Sequence, residues 1–328
     1  MSLPMRVGLA QFNEMSDEIL AFIKQLGADD FLMNTPKLPG ESRWEYEDLA
    51  ALKKRADDAE LRLMALENVP VHFYDKIMLG LPGRDEQLQH MIATVQNMGR
   101  AGIPILGYHW IPNSVWRTQE PAVVRGGARA TRFNKEEHDP AELTHGRVFT
   151  QEEMVANYDW YLERILPVAE KADVRLALHP DDPPVDGLGG IARIFRDYQC
   201  FKRALDKFDS YHHGLDFCMG CWSEMGGHKN VLDGIRYFGP QKKLVYIHFR
   251  DVIGTPENFY ETFIDNGQVD TFEVVKTLRE VGFDGFMITD HVPHMAGDTR
   301  WGHRGRAHCI GFMQALIQVV NKLYPDPA

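Results

Sequence analysis

The sequence predicts a single (β/α)8 TIM barrel. Eight short apolar runs alternate with longer segments of helical pattern along the 328 residues. Strands that alternate with helices indicate a parallel sheet, and eight such units are typical of a closed barrel. The competing doubly wound sheet usually carries a glycine-rich phosphate loop after an early strand, whereas GLPG at 80–83 lacks that spacing. We therefore interpret residues 1–328 as one barrel domain.

The first four strands are predicted at MRVGLA (5–10), DFLMN (30–34), LRLMALEN (61–68) and IPILGYHW (103–110). Helical patterns follow the first three of them, at 14–26, 44–60 and 84–102. The second of these helices has acidic residues early and basic residues late, which suits the helix dipole. The third repeats its apolar residues at helical spacing and ends at glycine, a common helix stop.

A long insertion separates the fourth strand from its helix. Residues 111–149 are rich in Arg and Gly and show no clear periodicity. A loop of this length inside a compact domain is usually functional or disordered. Because it follows a strand on the active-site side of the barrel, we predict that it forms a lid. The helix after it, at 150–172, begins with Thr150 and Glu153 in the pattern of a capping box.

The last four strands are predicted at VRLALHP (174–180), HHGLDFC (212–218), KLVYIHFR (243–250) and GFMITDH (285–291). Their helices are predicted at 189–206, 229–238, 270–282 and about 306–323.

Composition excludes several classes of protein. The net charge is −11, from 36 basic and 47 acidic residues, which argues against broad nucleic-acid binding. No run approaches the roughly 18 apolar residues that a membrane span needs. The N-terminal MSLPMRVGLAQF lacks the basic and apolar parts of a signal peptide. We therefore predict a cytoplasmic protein without nucleic-acid or membrane partners. A homo-oligomer is compatible with this fold, although no segment marks an interface.

The four cysteines, Cys200, Cys218, Cys221 and Cys309, are too few for a disulfide framework. Cys218 and Cys221 form a C-x-x-C motif, which suits a redox dithiol, half of a zinc site, or one functional cysteine with a bystander. A thioredoxin-like fold would place such a pair near the start of a domain, and a four-cysteine zinc site would need a second close pair. We therefore favour one functional cysteine, or none.

In a TIM barrel, chemistry is located at the carboxyl ends of the strands. The polar residues at these ends are Gln11, Asn34, Glu67 with Asn68, His109, His179, Cys218, His248 and Asp290. The last four come from consecutive strands, and neighbouring strands lie about 5 Å apart, so their side chains can converge. Two imidazoles, a thiolate and a carboxylate suit Fe²⁺, Mn²⁺ or Zn²⁺. Taken singly, a strand-end His is more often structural and a lone Cys is more often a small buried hydrophobe.

Other polar groups are expected around these strand ends. Asp181 and Asp182 are placed to orient metal-ligating imidazoles, and Glu67 is a further ligand or an anchor for one. The nearby cations are Lys76, Arg117, Arg250, Arg300 and Arg304. Arginine grips a carboxylate with two parallel hydrogen bonds, so a metal with several arginines suits a carboxylate substrate. The alternative is that these loop arginines are simply solvated.

Several motifs together resemble the mannonate dehydratases of the hexuronate pathway. They are ENVP (67–70), DKIMLG (75–80), WRT (116–118), HPDDPP (179–184), GLDFCMG (214–220), IHFRD (247–251) and TDHVP (289–293). The resemblance covers most of the chain in order, and HPDDPP followed by the cysteine strand is its most specific part.

The resemblance implies a TIM barrel that converts D-mannonate to 2-keto-3-deoxy-D-gluconate with Mn²⁺ or Fe²⁺ and no organic cofactor. It places the metal ligands at His179, Cys218, His248 and Asp290, the same residues that the strand ends select. It also implies substrate contacts, which we assign to Asn34, Glu67, Lys76, His109, Trp116, Arg117, Asp181, Arg300 and Arg304.

The implied reaction needs a base for the C2 proton and an acid for the departing C3 hydroxyl, with a cation to spread the charge that develops. We predict His291, beside the ligand Asp290, for one proton transfer, with Arg250 and Tyr260 as further catalytic residues. The alternative role for His291 is support of the metal site. The family commonly has a Tyr in the final loop-to-helix region, but GHRGRAHCIGF (302–312) has none. Candidates to replace it are His303, His308 and Tyr260.

Three alternatives stay open. His109 stands where the family commonly has Asn, and the loops after strands four and eight also differ, so a related dehydratase for another aldonic acid is one. A sugar isomerase or epimerase on the same barrel is another, although Cys218 is an unusual ligand for such enzymes. A non-catalytic metal- or ligand-binding barrel is the third, and the missing Tyr favours it.

Overall fold

A computed structural model describes residues 5–324, so the predictions for the extreme N- and C-terminal residues lie outside it. Eight parallel strands close into a barrel, which confirms the predicted (β/α)8 fold. Labelled β1 to β8, they are Arg6–Leu9, Asp30–Asn34, Arg62–Glu67, Ile105–Tyr108, Arg175–Leu178, His213–Cys218, Leu244–His248 and Phe286–Ile288. Each strand pairs with its neighbours in the chain, and β8 closes the barrel on β1. Within 5–324, no helix is both long and apolar enough to cross a bilayer.

The helices lie outside the barrel. Labelled α1 to α9, they are Asp17–Gln25, Tyr46–Asp58, Asp75–Leu79, Arg84–Ala101, Gln151–Ala172, Tyr198–Lys207, Met219–Phe238, Thr271–Glu280 and His303–Leu323. The Thr150 hydroxyl accepts from Glu153 N and the Glu153 carboxylate accepts from Thr150 N, so the predicted capping box opens α5.

Two of the predicted helices start elsewhere in the structure, and the short helix α3 was not predicted. Helix α6 starts at Tyr198 instead of 189, because residues 187–192 form a small hairpin whose Gly189 and Gly190 adopt positive φ. Helix α7 starts at Met219, directly after β6, instead of at 229. Its backbone leaves helical geometry at Gly226 and Gly227, and this break hides the first part of the helix from a search for periodicity.

The barrel interior is filled by side chains. A cluster of buried residues occupies it, made of Ala10, Leu32, Ala65, Ile105, Ala177, Val245, Tyr246, Phe286 and Ile288. A much larger apolar cluster lies between the strands and the helices. This packing leaves the carboxyl end of the barrel for the functional polar side chains, as is usual for this fold.

The insertion 111–149 is tied to loops on the carboxyl side of the barrel. Its strand Arg132–Asn134 pairs with Asn258–Glu261, which pairs in turn with Val252–Thr255 after β7. Phe133 is fully buried in a small apolar cluster with Val185, Leu188, Val252 and Phe259. The insertion is therefore part of a three-stranded sheet, and its role as a lid stays a prediction.

Candidate metal centre and active site

Three side chains converge where β5, β6 and β7 end. One donor atom each from His179, Cys218 and His248 lies within 4.8 Å of the other two. Cys218 and His248 are direct partners in the parallel register of β6 and β7. His179 follows β5, and its backbone N–H donates to Tyr108 O at 2.8 Å. The parallel register thus brings the ends of three successive strands to one point.

Both imidazoles are fixed so that one nitrogen of each is available. His179 Nδ1 donates to Pro180 O at 2.7 Å, which leaves Nε2 free of that contact. His248 Nε2 lies 2.7 Å from Glu67 Oε2 and 3.1 Å from Asp216 Oδ2. His248 Nδ1 is buried and has no hydrogen-bond partner. A buried nitrogen without a partner is costly unless it binds something, so its presence fits a metal ligand.

Asp290 lies beside this cluster. Its Oδ2 is 3.6 Å from His248 Nδ1 and 2.8 Å from Arg250 Nε. Arg306 donates to the carbonyl oxygen of Asp290 at 2.8 Å, which holds the backbone after β8. The structure therefore brings together three of the predicted ligands and places the fourth next to them, where an arginine binds its carboxylate. Such a mixed set of nitrogen, sulfur and oxygen donors fits a divalent transition-metal ion.

The surroundings of His179 and Cys218 shift the pKa of each side chain toward its charged form. Partial burial alone would lower the pKa of His179, but Asp216 and Cys218 raise it to about 9. Burial alone would raise the pKa of the Cys218 thiol, but Cys221, Arg250 and the two imidazoles hold it well below its usual value. Both shifts favour the charged forms, and a metal ion bound through the His179 ring would require its neutral form.

A buried network supports His248 from below. Tyr246 Oη lies 3.1 Å from Glu67 Oε2 and 3.0 Å from Asp216 Oδ2, within hydrogen-bond distance of both carboxyl groups. Gly107 makes this possible, because a Cβ there would lie 2.2 Å from Tyr246 Oη. The sequence interpretation missed Asp216 and Tyr246. They stand two residues before Cys218 and His248, and strand alternation places them on the same face, so this signal was available.

Glu67 belongs to the same network. Its Oε1 accepts from Asn34 Nδ2 at 2.7 Å and from Gln11 Nε2 at 3.1 Å, while its Oε2 binds His248. It is 3% exposed. This geometry fits the anchoring role that was one alternative for Glu67.

Arg117 and Arg250 are held by protein carboxylates. Arg117 binds Asp182 with two hydrogen bonds of 2.7 and 2.8 Å, and Glu261 at 2.9 Å. The Arg250 side chain is 1% exposed. Its protein partners are Asp182, Cys221, Glu224, Glu261 and Asp290. Neither guanidinium has the free fork that gripping a substrate carboxylate requires.

A cavity of about 80 Å³ opens beside the candidate metal ligands His179, His248 and Asp290. It is lined by Gln11, Asn34, Glu67, Asn68, His109, Ile111, Val115, His179, Asp182, His248, Asp290 and His291. His109 Nδ1 accepts from Ile111 N at 3.2 Å. Burial, together with the nearby charges of His179 and Arg193, lowers the pKa of His109 to about 3. His109 is therefore a neutral imidazole whose proton is on Nε2.

A second opening of about 760 Å³ shares Gln11 and Asn34 with this cavity. Arg300 lines it, together with Lys37 and Trp301. Of the predicted substrate cations, Arg300 is therefore the one that lines either of these two openings.

The remaining predicted residues do not line either opening. Trp116 Nε1 donates to Asn113 O, Asp181 accepts from Phe195 N, and Arg304 donates to Ala296 O. Lys76 is exposed on α3. The three candidates to replace the family Tyr, which are His303, His308 and Tyr260, also lie outside the residues that line these openings.

His291 is the imidazole that faces the cavity beside Asp290. Its Nδ1 lies 2.7 Å from Glu261 Oε1, and its Nε2 lies 3.6 Å from Asp290 Oδ1. A carboxylate on one ring nitrogen and a cavity beside the ring are the arrangement of a general base or acid. The sequence interpretation missed Glu261, because no local pattern connects a loop after β7 with the end of β8.

Comparison with known proteins identifies the family of the chain. The family model described as D-mannonate dehydratase (UxuA) matches residues 5–147 and 141–326. The chain is 31% identical to mannonate dehydratase of Thermotoga maritima over 306 residues, which is 82% of each chain. It is 28% identical to mannonate dehydratase of Streptococcus pneumoniae over 288 residues, 80% of this chain and 78% of that protein.

Solved structures give the same result. Mannonate dehydratase from Streptococcus suis serotype 2 superposes with a TM-score of 0.89 at 26% identity, covering 98% of this chain and 95% of that one. L-ribulose 3-epimerase superposes with a TM-score of 0.65 at 12% identity, covering 97% and 96%, which shows a shared fold alone. The chain thus belongs to the D-mannonate dehydratase family, whose named members are hydro-lyases.

Proposed function

We propose that this protein removes water from D-mannonate to form 2-keto-3-deoxy-D-gluconate in a metal-dependent reaction. The observation that carries the proposal is the convergence of His179, Cys218 and His248, with Asp290 beside them. His291 faces the same cavity. The family assignment supports a sugar acid as the class of substrate.

The residues that would hold the metal are His179 through Nε2, Cys218 through Sγ, His248 through Nδ1, and Asp290 through a carboxylate oxygen. The unpartnered His248 Nδ1 and the thiolate character of Cys218 support this set. Mn²⁺ or Fe²⁺ suits these donors. When bound, such a cation supplies Lewis-acid stabilisation of negative charge on the substrate. No organic cofactor is needed.

The chain's own groups must move the protons. We assign removal of the C2 proton to His291, whose Nδ1 is occupied by Glu261 and whose Nε2 is on the side of Asp290. Once protonated, the same imidazole can deliver a proton to the departing C3 hydroxyl, which leaves as water. The resulting C2=C3 enol then becomes the 2-keto acid by gaining a proton at C3 and losing the proton of its C2 hydroxyl. A single residue for both transfers agrees with the positions of Tyr260, His303 and His308 outside the cavity lining.

Other cavity residues position the substrate. His109 is neutral and presents an Nε2–H donor, which suits a substrate hydroxyl. Asn68 lines the cavity, and its side-chain oxygen is buried without a hydrogen-bond partner. An unpaired acceptor of this kind is satisfied by a hydroxyl donor on the bound sugar acid.

The test is a screen of the purified protein. It is stripped with a chelator, reloaded with Mn²⁺ or Fe²⁺, and given a panel of hexonates and pentonates. We expect a 2-keto-3-deoxy acid from D-mannonate and no product before reloading. Product from another acid alone would identify a related dehydratase. Exchange of the C2 proton without loss of water would instead support an isomerase or epimerase. If no acid in the panel gives a 2-keto acid, the proposal fails.

A further inference from the structure

We propose that Glu261 is a positioning residue of the active site, which fixes the His291 ring through Nδ1 and presents Nε2 to the cavity. The inference rests on the proposed dehydratase function, within which His291 moves the protons. The inference also assigns a role to the three-stranded sheet that contains Glu261, because no other residue of that sheet takes part in the proposed reaction.

The contact between the two residues is short and directional. Glu261 Oε1 lies 2.7 Å from His291 Nδ1. An ionised carboxylate can only accept a hydrogen bond, so the hydrogen between the two atoms is bonded to Nδ1. In the neutral ring the lone pair is then on Nε2, which is the tautomer that a base at the cavity needs. Rotation of the ring would break this hydrogen bond, so the contact selects both orientation and tautomer.

Glu261 is itself held in place as an anion. The same Oε1 accepts from Arg117 Nη2 at 2.9 Å and from Arg250 Nη1 at 3.2 Å. The Glu261 side chain is 5% exposed. Burial would raise the pKa of Glu261, but His291 and the two guanidinium groups hold it well below its usual value. The carboxylate therefore cannot easily turn away from the imidazole.

The backbone of Glu261 is fixed by the sheet rather than by the barrel. Its N–H donates to Thr131 O in the insertion at 2.9 Å. Its strand Asn258–Glu261 lies between Val252–Thr255 and the insertion strand Arg132–Asn134. The insertion thus reaches the active site through Glu261, which connects its strand pairing to the orientation of His291.

Replacement of Glu261 should lower activity by an amount that is typical for an orienting residue. Removing a group that orients a functional imidazole typically costs about 10- to 100-fold in activity. Because Glu261 acts on the ring and not on the substrate, we expect kcat to fall by about this factor while KM changes by less than about threefold.

The experiment compares Glu261→Ala and Glu261→Gln with a matched control. Gln keeps an oxygen where all three donors meet but removes the charge, so Glu261→Gln tests the role if the Ala variant fails to fold. The control is Glu224→Gln. Glu224 is 2% exposed and also binds Arg250 Nη1, but it has no contact with His291. Mn²⁺-loaded proteins are assayed with D-mannonate, and bound metal is measured for each.

We expect kcat to be lowest for Glu261→Ala and intermediate for Glu261→Gln, with full metal content in both. Glu224→Gln leaves the contact with His291 in place, so its kcat should fall less than that of Glu261→Gln, although both carboxylates bind Arg250 Nη1. Equal kcat in the Glu261→Ala and parent proteins would overturn the inference. An equal loss in Glu261→Gln and Glu224→Gln would also overturn it, because the cause would then be the shared partner Arg250.

A spectroscopic readout separates this inference from the proposed function. In protein labelled with ¹⁵N-histidine and loaded with diamagnetic Zn²⁺, the His291 signal is assigned by its loss in His291→Gln. We expect a protonated, hydrogen-bonded Nδ1 in the parent and loss of that pattern in Glu261→Ala. An unchanged pattern would contradict the positioning role. If the parent forms no keto acid but shows the expected pattern, the proposed reaction fails and the contact stands.

Discussion

Cys218 and His248 are register partners on neighbouring parallel strands, and this pairing places a thiol beside an imidazole at the carboxyl end of the barrel. His179 completes the group from the preceding strand, with donor atoms within 4.8 Å. Because the backbone register sets these positions, the candidate metal site is built on the ends of barrel strands, which hold ligand geometry more precisely than loops do.

The two cysteines of the C-x-x-C motif should differ in their effect on metal binding. Cys218→Ser replaces a soft thiolate with a hydroxyl, so we expect affinity for Fe²⁺ or Mn²⁺ to fall by at least about tenfold. Cys221 accepts from Arg250 Nη2 at 3.1 Å and lies behind Cys218. Cys221→Ser should therefore keep one bound metal per chain. Metal content by mass spectrometry and titration calorimetry measure both, and parent-like affinity in Cys218→Ser would remove Cys218 from the ligand set.

Gly107 and Gly311 should respond in opposite directions to substitution by Ala. At Gly107 a Cβ would lie 2.2 Å from Tyr246 Oη and displace the hydroxyl that joins Glu67 and Asp216. We expect Gly107→Ala to lower the free energy of unfolding by about 1–3 kcal/mol, because overpacking a core strains it. Metal affinity should fall with it.

Gly311 is the control for that variant. It lies inside helix α9, and nothing within 4 Å would meet a Cβ there. Gly311→Ala should raise the free energy of unfolding by up to about 1 kcal/mol, since Ala is the better helix former. Urea denaturation measures both changes. A loss of stability in Gly311→Ala, or none in Gly107→Ala, would show that these local contacts are misjudged.

Much of the fold follows from local sequence. All eight strands were predicted in order, because strands buried on both faces appear as continuous apolar runs. Helix α5 was predicted nearly to its ends, since its capping box is visible in the sequence. Helix α7 was not, because its first residue follows Cys218 without a connecting loop and Gly226 interrupts its pattern. The first residue of a helix is predictable from the sequence when a capping motif marks it, as in α5, and is missed when no such motif is present, as in α7.

The sequence predicted the part of the site that is formed by residues at the strand ends. His179, Cys218 and His248 follow from the rule that such ends converge in a barrel, and the structure brings them together. The contact of Glu261 with His291 did not follow. It depends on a hairpin after β7 that pairs with the insertion, and no local pattern indicates such a tertiary contact.

Metal should stabilise the folded protein, because the ligands converge only in the folded barrel. A ligand that binds only the native state at 100 times its Kd adds about 2.7 kcal/mol to the free energy of unfolding. Mn²⁺ should therefore raise the Tm of the chelator-treated protein, and fresh chelator should reverse the rise. Cys218→Ser should show a smaller increase at the same concentration. An equal increase in both proteins would show that the stabilising ion binds elsewhere.

The buried His213 should make stability depend on pH in the acid range. Its Nδ1 lies 3.0 Å from Phe208 O, and its Nε2 lies 3.0 Å from Tyr158 Oη. Burial lowers the pKa of His213 to about 4. The unfolded chain, with a His pKa of about 6.5, binds the proton first as pH falls. The contribution of the neutral ring is therefore complete above pH ~6.5 and is lost progressively toward pH ~4.

The change can be isolated with His213→Asn, whose amide can still donate to Phe208 O but does not titrate in this range. Between pH 7 and pH 5, linkage predicts that the parent loses about 2 kcal/mol relative to this variant. Urea denaturation of the two proteins at several pH values gives the difference directly and cancels the other titrating groups. Parallel curves of stability against pH would mean that His213 has the same proton affinity in the folded and unfolded chains, and that its burial does not exclude the charged ring.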